Sequence, residues 1–418
     1  MLQIVIPLTA IISFIISQRQ RFFFQDDWNH LSQVFNKKFI EIAAYFNLFQ
    51  QNQLDRANFF RPLSTRLYFW LSYKLFGLWP LGYFLVNSLL FLAISYLMFI
   101  FLQKFLSKKQ AIWALFFYCF SLAHFTYFSH ITLAEVLWLG VFSWLAILSW
   151  LNQKRLWTGI WLLLALMTRE SALIIPIWIL IYELWWKKRK FSKTFKETAW
   201  LWLITGVYVV ARSFIYGWPE DKGVYALAWG KHALSNLFKY GQWNLNLVGW
   251  LNKITPLSVI GWLGILILAW LGLKSLLALK KEGKDIRRLI WGVGWWLIWL
   301  LPVMFFKSHL DPWNLILAAG GMALILGVVV AKMKPKQQYV FAGIYLLIFL
   351  VGLNYYSQNH WTVLRSRLSQ NNYLTIQSQC DEEFIRLKEE KPKELQYALY
   401  YDLGAKVICN KDVKVVYE

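Results

Sequence analysis

Eleven stretches of this 418-residue chain are apolar for long enough to be read as membrane helices, and they constrain the fold more than any motif does. Crossing about 30 Å of hydrocarbon as a helix takes about 20 residues, or fewer where a bundle is locally thin. The runs fall at 3 to 18, 83 to 103, 111 to 124, 134 to 151, 156 to 168, 171 to 186, 198 to 215, 257 to 279, 289 to 306, 312 to 331 and 338 to 354. In lipid, backbone polar groups must be satisfied inside a helix or a closed barrel. The runs therefore predict an all-α polytopic membrane protein. Composition agrees, since 58% hydrophobic residues and 26 tryptophans lie far from the range of a soluble domain.

A formal charge of +22 would suggest nucleic acid in a soluble protein, but here Lys and Arg sit in the gaps between apolar runs. Nineteen of the 44 basic residues occupy five short loops: Lys104, Lys108 and Lys109; Lys154 and Arg155; 187 to 196; 280 to 288; and 332 to 336. Short basic loops stay cytoplasmic. This places the N-terminus inside, expects no nucleic-acid partner, and puts the loops at 19 to 82, 216 to 256 and 307 to 311 and the tail from Tyr355 outside. Arg19 and Arg21 run against that orientation. The aromatic segment 59 to 80 carries Arg61, Arg66 and Lys74, is bounded by Pro62 and Pro80, and reads as an interfacial or re-entrant helix on the outer face. Arg66 and Lys74 read as snorkelling residues.

The tail, 355 to 418, has nine basic and nine acidic residues, alternating segments such as "LTIQ" and "VKVVYE", and a helix predicted at 381 to 390. It reads as a small external α+β appendage on a transmembrane domain of 1 to 354, too short for a core of its own. Of three cysteines, Cys119 lies in an apolar run as a small hydrophobe. Cys380 and Cys409 share the external tail, where a disulfide and two free thiols are equally open readings. No zinc spacing, Gly-rich phosphate loop or nucleophile elbow occurs. The first run lacks a basic start and a small-residue cleavage site, so no cleavable signal peptide is expected.

The stretch "RFFFQDDWNH" sets Asp26 and Asp27 just beyond the outer end of the first run, beside the interfacial anchor Trp28. Two readings stand: a solvated helix end, and a carboxylate pair facing a lipid headgroup. The run at 156 to 168 gives about 20 Å of helix at 1.5 Å per residue, which would leave Arg169 and Glu170 within the outer leaflet. Ionisable residues there face a cavity or pair with each other. Pro62 fixes the turn after Arg61 and so aims its guanidinium, and Arg grips phosphate bidentately where Lys cannot.

Taken in order, "DD" after the first run, "FFRPLSTRLYFWLSYKLFGLWPLGYFLVNSLL", "SHITLAEVLWLG", "LALMTRESALIIP" and "SHLDPWNLILAAGGMALILG" resemble the GT-C superfamily of membrane glycosyltransferases. The likeness is greatest to the branch related to protein O-mannosyltransferases and covers residues 1 to about 330. It implies transfer of a sugar, with inversion, from a polyprenyl-phosphate carrier to a hydroxyl of a protein or glycan acceptor at the outer face of the cell membrane. It implies Asp26 as the base, with Asp27 steering the acceptor or a cation, and Arg61, Arg169, His130 and His309 at the donor phosphate. Glu135, Glu170 and Arg66 support them. His130 stands five residues before Glu135, as in the family, but Leu133 replaces the family's second His. The family's Arg before the tenth run is missing, leaving His309 or Lys307 in its place. Adjacent carboxylates can hold Mg²⁺ or Mn²⁺, but the resemblance implies no metal cofactor. Another lipid-linked glycan enzyme, polymerase or flippase, and a secondary transporter are the alternatives; a transporter calls for mid-span charges and inverted repeats, which the sequence lacks.

Overall fold

The first helix illustrates how these elements form. In α1 (Leu2–Ser17) Ile4, Leu8, Ile12 and Ile16 recur every fourth residue and face outward, while Pro7, Ala10, Ile11 and Phe14 are buried. An outer face as apolar as the inner one suits a lipid solvent. The computed structural model describes residues 1–18, 21–47, 60–216, 226–247, 256–279 and 283–418. Arg19, and the parts of the loops at 216 to 256 and 280 to 288 that fall between these segments, lie outside the described residues.

After α1 come two short helices, α2 (Asp26–Ser32) and α3 (Phe39–Ala44). A π-helical turn at Pro62–Leu67 then runs into α4 (Tyr68–Phe76), which stops at Gly77 with φ +55°. This helical piece is not among the candidate spans, and it buries Ser64, Thr65, Tyr68, Phe69 and Ser72. Arg66 is buried too, its guanidinium against His30 and over the Tyr45 ring, so it does not snorkel. The bundle continues with α5 (Pro80–Leu102), α6 (Lys108–Cys119), α7 (Ala134–Leu151), α8 (Arg155–Leu166), α9 (Ile174–Ile181), α10 (Phe191–Tyr216), α11 (Lys231–Asn244), α12 (Pro256–Leu279), α13 (Gly283–Leu300), α14 (Ala319–Ala331) and α15 (Pro335–Asn359).

Each of the eleven apolar runs coincides with helix, but few are single long spans. Among the described residues, three helices are long and apolar enough to cross a membrane: Pro80–Leu102, Ile131–Leu151 and Pro335–Asn359. A fourth forms if Lys108–Cys119 and Leu122–Phe128, bent by 57°, count as one. The run at 171 to 186 divides into a 3₁₀ turn, α9 and a π-helical turn. The break before α9 carries Arg169 and Glu170, two of the candidate site residues, and irregular backbone in a membrane protein is tolerated where it lines a cavity.

The tail departs from expectation in three ways. α15 runs past Tyr355 to Asn359, and α16 (Trp361–Ser378) absorbs "LTIQ". The predicted helix at 381 to 390 is instead a strand, β1 (Phe384–Leu387), with Phe384 and Arg386 exposed and Ile385 and Leu387 buried. That period of two overrides the charged flanks that suggested a helix. β1 pairs in parallel with β2 (Lys414–Tyr417) through the crossover helices α17 (Pro392–Ala398) and α18 (Leu403–Cys409). Leu368, Ile376, Ile385, Leu387, Leu395 and Leu399 form a core cluster of this unit, and Cys380 and Cys409 are joined as a disulfide. The unit also packs against the first loop, where Gly404 lies so near Trp28 and Leu399 that a Cβ would sit 3.3 Å and 3.1 Å from them.

Candidate active site

The chemistry begins at the turn before α2. Gln25 has φ +48° and ψ −116°, close to the first corner of a type II′ turn at about +60° and −120°, and the Asp27 N–H closes the turn on the Phe24 carbonyl at 3.0 Å. Neighbouring helix positions do not share a face, so the two carboxylates part. Asp26 lines a cavity of about 520 Å³, while Asp27 is turned inward with 0% exposure.

Three donors enclose Asp27. Its Oδ1 accepts the Thr132 N–H at 2.8 Å and the Thr132 hydroxyl at 2.6 Å, and Oδ2 accepts the Phe24 N–H at 3.1 Å. Burial pushes its carboxyl up to about 7, with these hydrogen bonds pulling back and the Asp26 charge adding to the rise. His130 Nε2 stands 3.7 Å from Oδ1, but burial, and then the charges of His30, His360 and Arg365, hold the imidazole down at about 3. The contact is therefore between a neutral ring and the carboxyl. Neither ring nitrogen of His130 has a hydrogen-bond partner among the described residues, and the ring lines the cavity. Asp27 thus ties the first loop to the start of α7 and does not face the cavity beside Asp26.

The raised carboxyl sets a pH dependence. Below about pH 4 Asp27 is protonated folded and unfolded alike. As pH climbs toward 7 the unfolded chain ionises first, so folding stability falls across this window and the loss is complete above it. Asp27→Asn is expected to flatten that slope, at the cost of a pH-independent loss from an amide facing the Phe24 N–H. Thermal midpoints of the purified protein from pH 4 to 8 test this; an undiminished slope would assign it to other groups.

A second cluster holds two arginines. Arg61 donates from Nε and Nη2 to Glu170 Oε2 at 3.0 and 2.7 Å, and from Nη1 to Glu135 Oε2 at 2.7 Å. Arg169 donates to Glu135 Oε1 at 3.3 Å and to Asn314 at 3.1 Å, and Asn314 donates to the Tyr240 hydroxyl. The sequence left open whether Arg169 and Glu170 face a cavity or pair with each other; Arg169 lines the cavity, and each pairs across the bundle, with the 3₁₀ turn from Glu170 separating the two. Glu135, in the first turn of α7, bridges both guanidinia. The Leu63 N–H and Ser64 hydroxyl bond to the carbonyls of Met167 and Thr168, docking the Arg61 turn onto the break after α8. Arg61, Glu135 and Arg169 all line the cavity.

A third part comes from the loop before α14. His309 Nδ1 lies 3.4 Å from Asp311 Oδ2, and both line the cavity. Burial holds His309 down at about 4, helped by the charges of Arg169 and Arg61; burial raises Asp311 to about 7 against the pull of Arg169. Lys307 is exposed and does not line the cavity. Sequence reasoning assigned no role to Asp311 and missed Trp361, Arg365 and Tyr400, which reach the cavity from the tail. Only "SHLDPW", with its Asp before a Pro at a helix start, offered a signal for one of these. Among the described residues no group of three or more His, Cys, Asp or Glu side chains is placed to hold a metal ion.

No protein-family model matches the chain, and no curated protein matches it in sequence. Among solved structures, ArnT from Cupriavidus metallidurans bound to undecaprenyl phosphate matches over 99% of this chain and 85% of its own, with a TM-score of 0.51 and 14% identity. The apo state of the same protein matches over the same shares with a TM-score of 0.47 and 13% identity. The Archaeoglobus fulgidus oligosaccharyltransferase tethered with an acceptor peptide matches over 98% of this chain and 63% of its own, with a TM-score of 0.47 and 12% identity. The first of these shows a shared fold.

Proposed function

We propose that this membrane protein is a GT-C glycosyltransferase that moves a sugar from a polyprenyl-phosphate donor to a hydroxyl of a protein or glycan acceptor, with inversion. The observation that carries the reading is one cavity lined by a carboxylate, Asp26, and by two guanidinia, Arg61 and Arg169, that Glu135 holds together. The fold shared with a protein solved with undecaprenyl phosphate supports the donor class. In this reading Asp26 takes the acceptor proton, the acceptor oxygen forms its bond to the anomeric carbon, and the bond from that carbon to phosphate oxygen breaks with its electron pair leaving on polyprenyl phosphate. The leaving phosphate is a weak base and needs no acid; guanidinium charge stabilises it. The neutral His130 ring offers a hydrogen bond to a sugar hydroxyl.

The cytoplasmic N-terminus, the eleven spans and the outward-facing cavity belong to the same proposal and rest on the five basic loops. The division into 1–354 and 355–418 belongs to it too and rests on the end of the last apolar run, with α15 crossing that boundary to Asn359. The sequence likeness to the O-mannosyltransferase-related branch makes mannose the first sugar to assay. Mass spectrometry of polyprenyl-phosphate sugars and surface glycans, in cells with and without the protein, tests the reading. One lipid-linked sugar should accumulate, and one glycan shrink, when the protein is absent. Unchanged pools of both would remove the reading.

A further inference from the structure

The turn that carries Asp26 is strained, and the groups that hold it come from the far end of the chain. A non-glycine residue at φ +48° is in a sparsely populated conformation that persists only where its surroundings fix it. Here the Gln25 N–H donates to the Ala398 carbonyl at 2.7 Å, and Arg365 Nη1 donates to Gln25 Oε1 at 2.6 Å. Arg365 is itself fixed by Glu394 at 3.0 Å and by stacking over Trp361 and Tyr397 at 5.0 and 5.2 Å. Around it, Ser366 Oγ accepts the Phe22 N–H at 2.8 Å and Ser369 Oγ accepts the Trp28 indole N–H at 3.0 Å, so both flanks of the turn are pinned to α16.

We propose that Arg365 is a positioning residue: by gripping the Gln25 side chain it keeps the turn in its left-handed form and so aims the Asp26 carboxylate into the cavity. Without that grip Gln25 relaxes toward negative φ, the peptide between Gln25 and Asp26 rotates, and the carboxylate leaves its place. The inference rests on the reading of Asp26 as proton acceptor. It adds a residue outside the region that carries the sequence resemblance.

Glycine separates this role from direct substrate contact, because glycine enters positive φ without a Cβ penalty. The assay is turnover of polyprenyl-phosphate mannose in proteoliposomes supplied with cell-envelope acceptors. Arg365→Ala should lower kcat by about 10² with donor KM unchanged, and Arg365→Lys should fall between it and the native protein. Gln25→Gly should fall between the native protein and Arg365→Ala, since it loses the gripped side chain but enters positive φ without a Cβ penalty. In that background Arg365→Ala should lose much less than it does alone, since the turn no longer needs the grip. An equal loss in both backgrounds, a rise in KM in place of the fall in kcat, or full turnover in Arg365→Ala would each overturn the proposal; recovery through Gln25→Gly also excludes misfolding as the cause. Asp26→Asn is run beside these variants. If it is fully active the proton-acceptor reading fails and this inference with it; if it is inactive while Arg365→Ala is not, the positioning role alone fails.

Discussion

Asp26→Asn is expected to lower turnover by about 10² to 10⁴ while leaving insertion and donor binding intact. The substitution keeps the shape of the side chain and removes its capacity to take a proton. Asp26 lines the cavity and lies outside the buried hydrogen-bond set around Asp27, so the isosteric amide should leave that set in place. Asp27→Asn gives the contrast: its effect should appear in stability and in the docking of Thr132, with a smaller fall in turnover. Full activity in Asp26→Asn, measured with donor bound, would return Asp26 alone to the solvated helix end that the sequence also permits, since Asp27 is buried in either case.

Glu135→Gln should have the largest effect on stability. Its two oxygens neutralise two guanidinia, with the pairs at 2.7 and 3.3 Å and side chains about a tenth exposed. Removing one partner of a buried pair leaves charge uncompensated and costs about 3 to 5 kcal/mol. A polyprenyl-phosphate donor bound at Arg61 and Arg169 would supply the missing negative charge, so added polyprenyl phosphate should raise the thermal midpoint of Glu135→Gln more than that of the native protein. An equal rise in both would place the phosphate elsewhere. Glu170→Gln should cost less, since Glu170 is more exposed and serves Arg61 alone.

How much of this was legible follows from the range of each cause. Helix at every apolar run was readable because hydrophobicity is local. The breaks were not, since the bend after Cys119 and the turns around Arg169 answer to partners such as Asn246, which accepts the Leu122 N–H and donates to the Phe120 carbonyl from far along the chain. Of the residues that the resemblance named, Asp26, Arg61, His130, Glu135, Arg169 and His309 line one cavity and Asp27, Glu170 and Arg66 do not; how they pair was not legible, because nothing local tells Arg169 to choose Glu135 over Glu170. Strand β1 was masked by its acidic and basic flanks. The wall made by Trp361, Arg365 and Tyr400 carries no motif, and only tertiary packing brings it to the cavity.

Arg365 and Gln25 stand 340 residues apart in sequence. In a chain made from its N-terminus, Asp26 is therefore synthesised long before the residues that hold its turn. The turn meets Arg365 and Ala398 once α16 and α17 have been made, in the same unit that holds the β1–β2 pair and the Cys380–Cys409 disulfide. Under the proposed function, molecules whose translation stops before α16 would carry Asp26 on a turn that Arg365 and Ala398 do not hold, and so would not draw on a carrier-lipid pool.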